Sequence, residues 1–383
     1  MKTAERLNGI NEYYFSSKLR EIDAMNKAGR QVINLGIGSP DLPPHADVIR
    51  TLHEESARPS NHAYQSYKGS PVLRKAIANW YQRWYDVQLN GDTEILPLIG
   101  SKEGIMHICM TYLNPGDIAL VPNPGYPTYS SAVKLAGAEV RSYDLTEANS
   151  WLPDFNSLQE SDLSKVKLMF VNYPHMPTGC LPLQNVFENL VQFAKANDIL
   201  LVHDNPYSFI LNDTPLSILK TPGAMDVAIE LNSLSKSHNM AGWRVGMLVG
   251  ASVRIEEILK FKSNMDSGMF LPLQLAAAKA LQLEEEWHQS LNEIYRQRQS
   301  TVFDLLAELD CKFSKSQCGM FVWAAAPASY KSGYDLSDEV LNTANVFITP
   351  GGIFGSNGDQ FVRVSLCTPQ PVIVEALNRI KSR

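Results

Sequence analysis

Ser233-Leu-Ser-Lys-Ser-His-Asn-Met-Ala-Gly-Trp-Arg-Val-Gly246 sets a lysine, Lys236, in a turn of small and polar residues, with a β-rich run at 227–231 leading into it. A lysine held this way can meet a carbonyl carbon and form a Schiff base. Arg244 lies eight residues further on. Its guanidinium fork, with the hydroxyls of Ser233 and Ser235, suits the oxygens of a phosphate monoester. Taken alone, the same stretch is equally a solvated lysine and a surface arginine, so its neighbours must decide.

Outward from this turn, short apolar runs at 94–99, 118–121, 166–171, 199–202, 227–231 and 245–249 read as strands. Between them lie helical patterns. Leu73, Ile77, Trp80 and Trp84 recur at helical spacing over 71–84, behind Ser70 as N-cap and Pro71 at the first helical position. A second helix follows Gly100-Ser-Lys, and a third covers 183–196 with Val186, Leu190 and Phe193 on one face. Apolar runs without polar alternation mark strands buried on both faces, and their alternation with helices predicts an α/β fold with a mainly parallel sheet. Such a sheet carries its site on loops at the strand carboxyl ends.

The segment 271–309 is Leu-, Ala-, Glu- and Arg-rich and reads as one long helix or a broken pair. Strands at 320–324, 346–349 and 361–366 and a terminal helix from about 371 then form a smaller α+β unit. The first 45 residues are too few to fold alone and are expected to pack on that unit. The expected division is therefore 46–284 as the large domain and 1–45 plus 285–383 as the small one.

Composition narrows the function classes. The chain of 383 residues is 44% hydrophobic and 19% charged, with a net charge of −6. These values exclude a largely disordered chain, and the absence of a basic block argues against nucleic acid as partner. No apolar stretch approaches the ~20 residues that span a bilayer, and the N-terminus lacks the apolar centre of a secretory signal. Five widely spaced cysteines fit free thiols in a reducing cytoplasm. No C-x-x-C or H-E-x-x-H suggests a metal, and neither G-x-x-x-x-G-K-[ST] nor G-x-G-x-x-G suggests a nucleotide.

Five further segments carry chemistry. Gly100-Ser-Lys-Glu103 stands between a strand and a helix, where backbone N–H groups favour an anion. Pro122-Asn-Pro-Gly-Tyr-Pro127 presents Tyr126 near a strand end. Asp204, in His203-Asp-Asn-Pro-Tyr207, closes a buried strand; as a plain structural residue it would be a helix N-cap. Arg363 sits mid-strand in Phe361-Val-Arg-Val-Ser-Leu366, where a cation is costly unless paired. Asn34-Leu-Gly-Ile-Gly-Ser-Pro-Asp41 has Gly38 where close backbone approach is possible.

In this order and spacing, with Ser-x-Ser-Lys-x7-Arg-x-Gly, the set resembles the class I/II aminotransferases, pyridoxal-phosphate enzymes of the aspartate aminotransferase fold (fold type I). The resemblance spans about residues 34–366. It implies pyridoxal 5'-phosphate as cofactor and an L-amino acid and a 2-oxo acid as substrates. Lys236 would hold the cofactor aldehyde and later move the substrate proton. Ser101, Lys102, Ser233, Ser235 and Arg244 would hold the phosphate, Tyr126 would stack on the ring, and Tyr207 would bond its phenolic oxygen. Asp204 would keep the ring nitrogen protonated: at ~4 Å and an effective dielectric near 20 the pair is worth about 4 kcal/mol, or roughly three pKa units. Arg363 would grip the substrate carboxylate, with Gly38 in a mobile segment over it. Tyr64, in Tyr-Gln-Ser-Tyr-Lys-Gly69, would reach the phosphate of a neighbouring subunit, which implies a homodimer with shared sites.

One position departs from the family pattern. In Asn172-Tyr-Pro-His-Met-Pro-Thr-Gly179, Met176 replaces an asparagine that donates to the phenolic oxygen. A thioether cannot donate, and His175 or a water is the expected substitute. A C–S β-lyase or other eliminating enzyme could carry the same binding residues, and a non-catalytic regulatory protein is a second alternative. The motif run, with Asn239-Met-Ala-Gly-Trp243, is most similar to the subgroup of aspartate, methionine and LL-diaminopimelate aminotransferases. No second arginine for a dicarboxylate side chain is identifiable.

Overall fold

A computed structural model describes residues 1–10, 14–182 and 184–383. At its centre is a seven-stranded sheet. Across it the strands are Ile95–Leu98, Gly246–Gly250, Ala228–Ser233, Leu200–Asp204, Val166–Val171, Ile118–Asn123 and Glu139–Asp144. All adjacent pairs are parallel except the two made by Gly246–Gly250. Six of these strands coincide with the apolar runs. Glu139–Asp144 was not anticipated: Glu-Val-Arg-Ser-Tyr-Asp has little apolar content because it is an edge strand, with only Tyr143 fully buried.

Helices cover both faces, so inner strands such as Leu200–Asp204 are buried along their whole length. Pro71–Tyr85 starts where sequence predicts: Ser70 Oγ accepts from the Leu73 N–H at 3.2 Å, and Leu73, Ile77 and Trp80 are buried. The helix expected at 183–196 runs Gln184–Asn197, with Val186, Leu190 and Phe193 buried; Leu183 lies outside the described residues. The segment 271–309 is a broken pair, Leu271–Ala280 and Glu285–Glu308.

A second sheet holds Thr349–Pro350, Phe361–Ser365 and Phe321–Ala325, all antiparallel. The single strand expected at 346–349 is two: Val346–Phe347 instead pairs in parallel with Ile33–Asn34. Ile33 and Leu35 share a core with the Glu285–Glu308 helix and the C-terminal strands. Asp41 is held there too, by a two-pronged ion pair with buried Arg298 at 2.7 and 2.9 Å. Met176 and Tyr207 belong to the same apolar cluster, so this core reaches the carboxyl ends of the central strands.

Candidate active site

The carboxyl ends of the central strands and the Phe361–Ser365 strand enclose a cavity of about 540 Å³. Every residue expected from the family resemblance to bind cofactor or substrate lines it except Tyr64.

The strand Ala228–Ser233 runs into a single helical turn, Leu234–Ser237, whose N-cap is Ser233. Ser233 Oγ accepts from the Ser235 N–H at 3.1 Å and lies 2.8 Å from Ser235 Oγ. This capping turns Lys236 into the cavity, where its Nζ donates to the Gly38 carbonyl at 2.5 Å. Burial pulls the Lys236 pKa below its ordinary value, and the positive charges of Arg363 and Arg244 act in the same sense, against an opposing effect of Cys367. More of the amine is therefore neutral and nucleophilic than at a free lysine.

Arg244 has φ 56°, in the left-handed region that non-glycine residues rarely enter. Its Nη1 donates to the Ala241 carbonyl at 2.9 Å. A Cβ on Gly100, itself at φ +83°, would stand 2.1 Å from Arg244 Nη2, and one on Gly246 would stand 2.6 Å from the Ser101 amide nitrogen. These two glycines admit the guanidinium to the start of the helix Ser101–Tyr112. Fixed donors thus gather at one end of the cavity: the first-turn amides, Ser101, Lys102, Ser235 and Arg244.

Asp204 closes the strand Leu200–Asp204. Its Oδ2 accepts from the Tyr129 hydroxyl at 2.8 Å, and its backbone carbonyl accepts from Asn172 Nδ2 at 2.6 Å. Burial pushes the Asp204 pKa up to about 6, against the opposing pull of the Tyr129 bond and of His203. Tyr129 is itself pushed up by burial and by the Asp204 charge, so it stays a donor. Tyr207 is likewise pushed up by burial and keeps its hydroxyl proton.

Also on the cavity wall, Arg363 Nη2 donates to the Gly36 carbonyl at 2.9 Å, and Nη1 lies 3.3 Å from Met176 Sδ. The guanidinium carbon stands 3.7 Å from the Phe321 ring centre and 4.6 Å from that of Phe354. Stacking on ring faces fixes the plane of the fork and offsets the cost of burying it.

The family model for aminotransferase class I and II matches residues 30–380. The LL-diaminopimelate aminotransferase of Dehalococcoides mccartyi is 40% identical over 382 residues, covering 99% of this chain and 98% of that protein. The apo structure of BacF from Bacillus subtilis superposes with a TM-score of 0.95 at 39% identity, covering 100% of this chain and 98% of the other. A Thermus thermophilus aspartate aminotransferase mutant, at 22% identity and TM-score 0.93 over 100% of this chain and 99% of its own, shares the fold.

The chain belongs to the class I and II aminotransferases. It is a pyridoxal-phosphate-dependent enzyme that moves an amino group between an amino acid and a 2-oxo acid. The aminotransferase cavity fits its cofactor on a feature of its own. Asp204 Oδ1 is buried and has no hydrogen-bond partner among the described residues, which leaves a carboxylate oxygen in need of a donor such as a protonated ring nitrogen. The cluster of donors at the start of the helix Ser101–Tyr112 lies elsewhere on the same cavity wall.

His175 does not take the place left by Met176. It is outside the cavity lining and its Nδ1 bonds Thr178 Oγ1 at 2.8 Å, and burial lowers its pKa to about 3. Tyr64 is 91% exposed and lies outside this chain's own cavity. Sequence reasoning missed Tyr129, Gly100, Phe321 and Phe354. Gly100 opened a quoted motif but was given no role of its own, whereas the other three had no local signal. A cluster of Glu103, His107 and Asp266 was also unforeseen; its charge is already met by Lys262, whose Nζ lies 2.6 Å from Asp266.

Proposed function

We propose that this aminotransferase works as a cytoplasmic homodimer in which Lys236 moves the proton, Asp204 holds the cofactor ring and Arg363 holds the substrate carboxylate. The observation that carries this reading is the convergence of those three side chains on one cavity with phosphate-binding donors at one end. Bound cofactor supplies an aldehyde carbon and a ring that draws electrons from the substrate Cα. Lys236 Nζ, whose charged form is disfavoured by burial, takes the Cα proton and returns it. Tyr129 fixes the orientation of Asp204. Arg363, stacked between rings, exchanges the Gly36 carbonyl for the substrate carboxylate, and Lys236 gives up the Gly38 carbonyl in the same event. Tyr126 packs edge-on against Tyr129, whose ring stacks on Phe170, so its position over the cavity is set by the sheet.

The division into 46–284 and 1–45 plus 285–383 is supported by the shared core of Ile33, Leu35 and the C-terminal strands. The dimer is supported by exposed apolar surface at Tyr64, Tyr67, Met265 and Phe270. The two segments that carry these residues pack closely, since a Cβ on Gly268 would stand 2.5 Å from the Gln65 carbonyl oxygen. A reducing compartment suits the five free thiols. LL-diaminopimelate, named for the relatives, is one candidate donor. Nothing in the site favours elimination or a regulatory role.

The test is a panel of L-amino acids against 2-oxoglutarate and pyruvate, read by the visible absorption of the loaded protein and by 2-oxo acid formed. Product without conversion of the cofactor to its amine form would point to elimination.

Two predictions follow from single residues. Sedimentation of the active protein should give a dimer, and Tyr64→Phe should weaken cofactor binding roughly ten- to a hundredfold, as one hydrogen bond to a charged group contributes about 1.5–3 kcal/mol. A fully active monomer would contradict both. Met176→Asn should restore a donor, lowering the pH midpoint of the loaded protein's visible absorption by about one to two units. An unchanged midpoint would mean that an ordered water already serves.

A further inference from the structure

We propose that His203 is a positioning residue of this aminotransferase: doubly protonated and clamped between Glu230 and the Tyr173 carbonyl, it stands one residue before Asp204 and keeps the Asp204 carboxylate ionised and in place for the cofactor ring. The inference rests on the reading of Asp204 as the partner of that ring. His203 and Glu230 face each other on the neighbouring parallel strands Leu200–Asp204 and Ala228–Ser233, and both are fully buried. Successive side chains of a strand point to opposite faces, so His203 lies on the far side of the sheet from Asp204 and outside the cavity lining. The Phe187 ring packs edge-on against it at 5.1 Å.

The hydrogen bonds fix the charge of the pair. Glu230 Oε1 accepts from the Tyr81 hydroxyl at 2.8 Å and from Asn205 Nδ2 at 3.3 Å. Its Oε2 accepts from the Ser217 hydroxyl at 2.7 Å and from the Ile218 N–H at 3.2 Å. Ser217 Oγ already accepts from the Leu219 N–H at 3.2 Å, so its own proton is directed at Glu230. Burial and the Glu230 charge push the Tyr81 pKa up, so Tyr81 also stays a donor, and Tyr85 nearby is pushed up for the same reasons. Donors to both oxygens favour the ionised carboxylate, and an ionised carboxylate only accepts. His203 Nδ1, 2.9 Å from Glu230 Oε2, must then carry a proton. Nε2, 3.0 Å from the Tyr173 carbonyl, must carry one as well, because a carbonyl also only accepts. Two protonated ring nitrogens make an imidazolium.

This arrangement acts on Asp204 in two ways. The first is positional. Tyr173 follows Asn172, whose Nδ2 donates to the Asp204 carbonyl at 2.6 Å and whose Oδ1 accepts from the Met176 N–H at 2.8 Å. By holding the Tyr173 carbonyl, His203 anchors the turn that grips Asp204, while Glu230 holds Asn205 on its other side. The second is electrostatic. Burial pushes the Asp204 pKa up to about 6; the His203 charge pulls it back, and the smaller effect of Glu230 opposes His203. The pair therefore favours, on balance, the carboxylate that a protonated ring nitrogen needs. The other titratable side chain beside this pair, Tyr173, donates its hydroxyl proton to the Trp151 carbonyl at 3.0 Å.

The experiment has two readouts, both on the full-length protein. The first is a nitrogen NMR spectrum with the histidine rings labelled, recorded at about pH 9, where exposed histidines are neutral. His107 also faces a carboxylate, Glu103 at 2.6 Å, so the spectrum is taken on His107→Gln as well. One imidazolium with both ring nitrogens protonated should persist in His107→Gln and vanish in His203→Gln. A His107→Gln spectrum that holds only neutral rings overturns the inference, whether or not His203→Gln folds. The second readout is affinity for the amine form of the cofactor, which makes no covalent bond to Lys236, followed by tryptophan fluorescence at about pH 6 and about pH 8. An upward shift of about one unit at Asp204 lowers the affinity of His203→Gln relative to the parent roughly fivefold more at the lower pH than at the higher. In an Asp204→Asn background that difference between the two pH values should disappear. A ratio of parent to variant affinity that is the same at both pH values, or a pH dependence that persists in Asp204→Asn, makes His203 a packing residue and overturns the inference. If Asp204→Asn itself binds the amine form as tightly as the parent, the reading of Asp204 falls, while the nitrogen spectrum still decides the charge on His203.

Discussion

Lys236→Ala should lower turnover by at least about 10³-fold, since both the covalent attachment point and the proton-moving group are lost. The fold should survive. Lys236 lies in a single helical turn that is held by Ser233, whose Oγ accepts from the Ser235 N–H. The side chain removed makes one hydrogen bond, to the Gly38 carbonyl. Burial disfavours its charged form. Thermal unfolding of the cofactor-free variant should stay within a few degrees of the parent. Retention of full activity in the amino-acid half-reaction would remove Lys236 from the chemistry. A collapsed melting temperature with no activity would instead mark it as a structural residue.

Asp204→Asn should act in opposite directions on the free and loaded protein. In the cofactor-free protein burial raises the Asp204 pKa from 3.8 to about 6. A carboxyl whose folded pKa lies above its unfolded value is best tolerated when protonated. Its contribution to stability is fully present below about pH 4 and is lost as pH rises through about 6. At 1.36 kcal/mol per unit, the charged form costs the free protein about 3 kcal/mol at pH 7–8. Asparagine carries no charge and still offers an oxygen to Tyr129. The free variant should therefore be more stable than the parent by up to that amount at pH 8, and by almost nothing at pH 4. Urea unfolding at the two pH values measures the difference. Equal effects at both would show that packing, not charge, is responsible. Cofactor affinity should fall roughly a hundredfold or more, because a pair worth about 4 kcal/mol is lost. A variant that bound cofactor as tightly as the parent would exclude Asp204 as the partner of the ring.

The residues that line the cavity were largely legible because each sits in a local pattern with its own chemistry. A capped turn presents Lys236, a strand-to-helix junction presents Ser101, and a strand end presents Asp204. Apolar runs marked six of the seven central strands, because strands buried on both faces must be apolar throughout. The edge strand Glu139–Asp144 escaped because one side of it meets water. His175, one of the two expected substitutes for the missing asparagine, was misplaced for a different reason. His175 is adjacent to Met176 in the chain, yet its side chain bonds Thr178 and lies outside the cavity.

Chain order alone thus pointed to an α/β aminotransferase, its cofactor and a lysine that the fold places in the cavity. Tertiary packing supplied everything that depends on residues distant in sequence. Tyr129 meets Asp204 across 75 positions, and Gly100 makes room for Arg244. Phe15, Phe321 and Phe354, from separate elements, close on Arg363. Motifs for binding a cofactor repeat a fixed local geometry and so leave a local trace. The polarity of a substrate pocket is a sum over side chains brought together only by folding, and no one segment of the chain carries it.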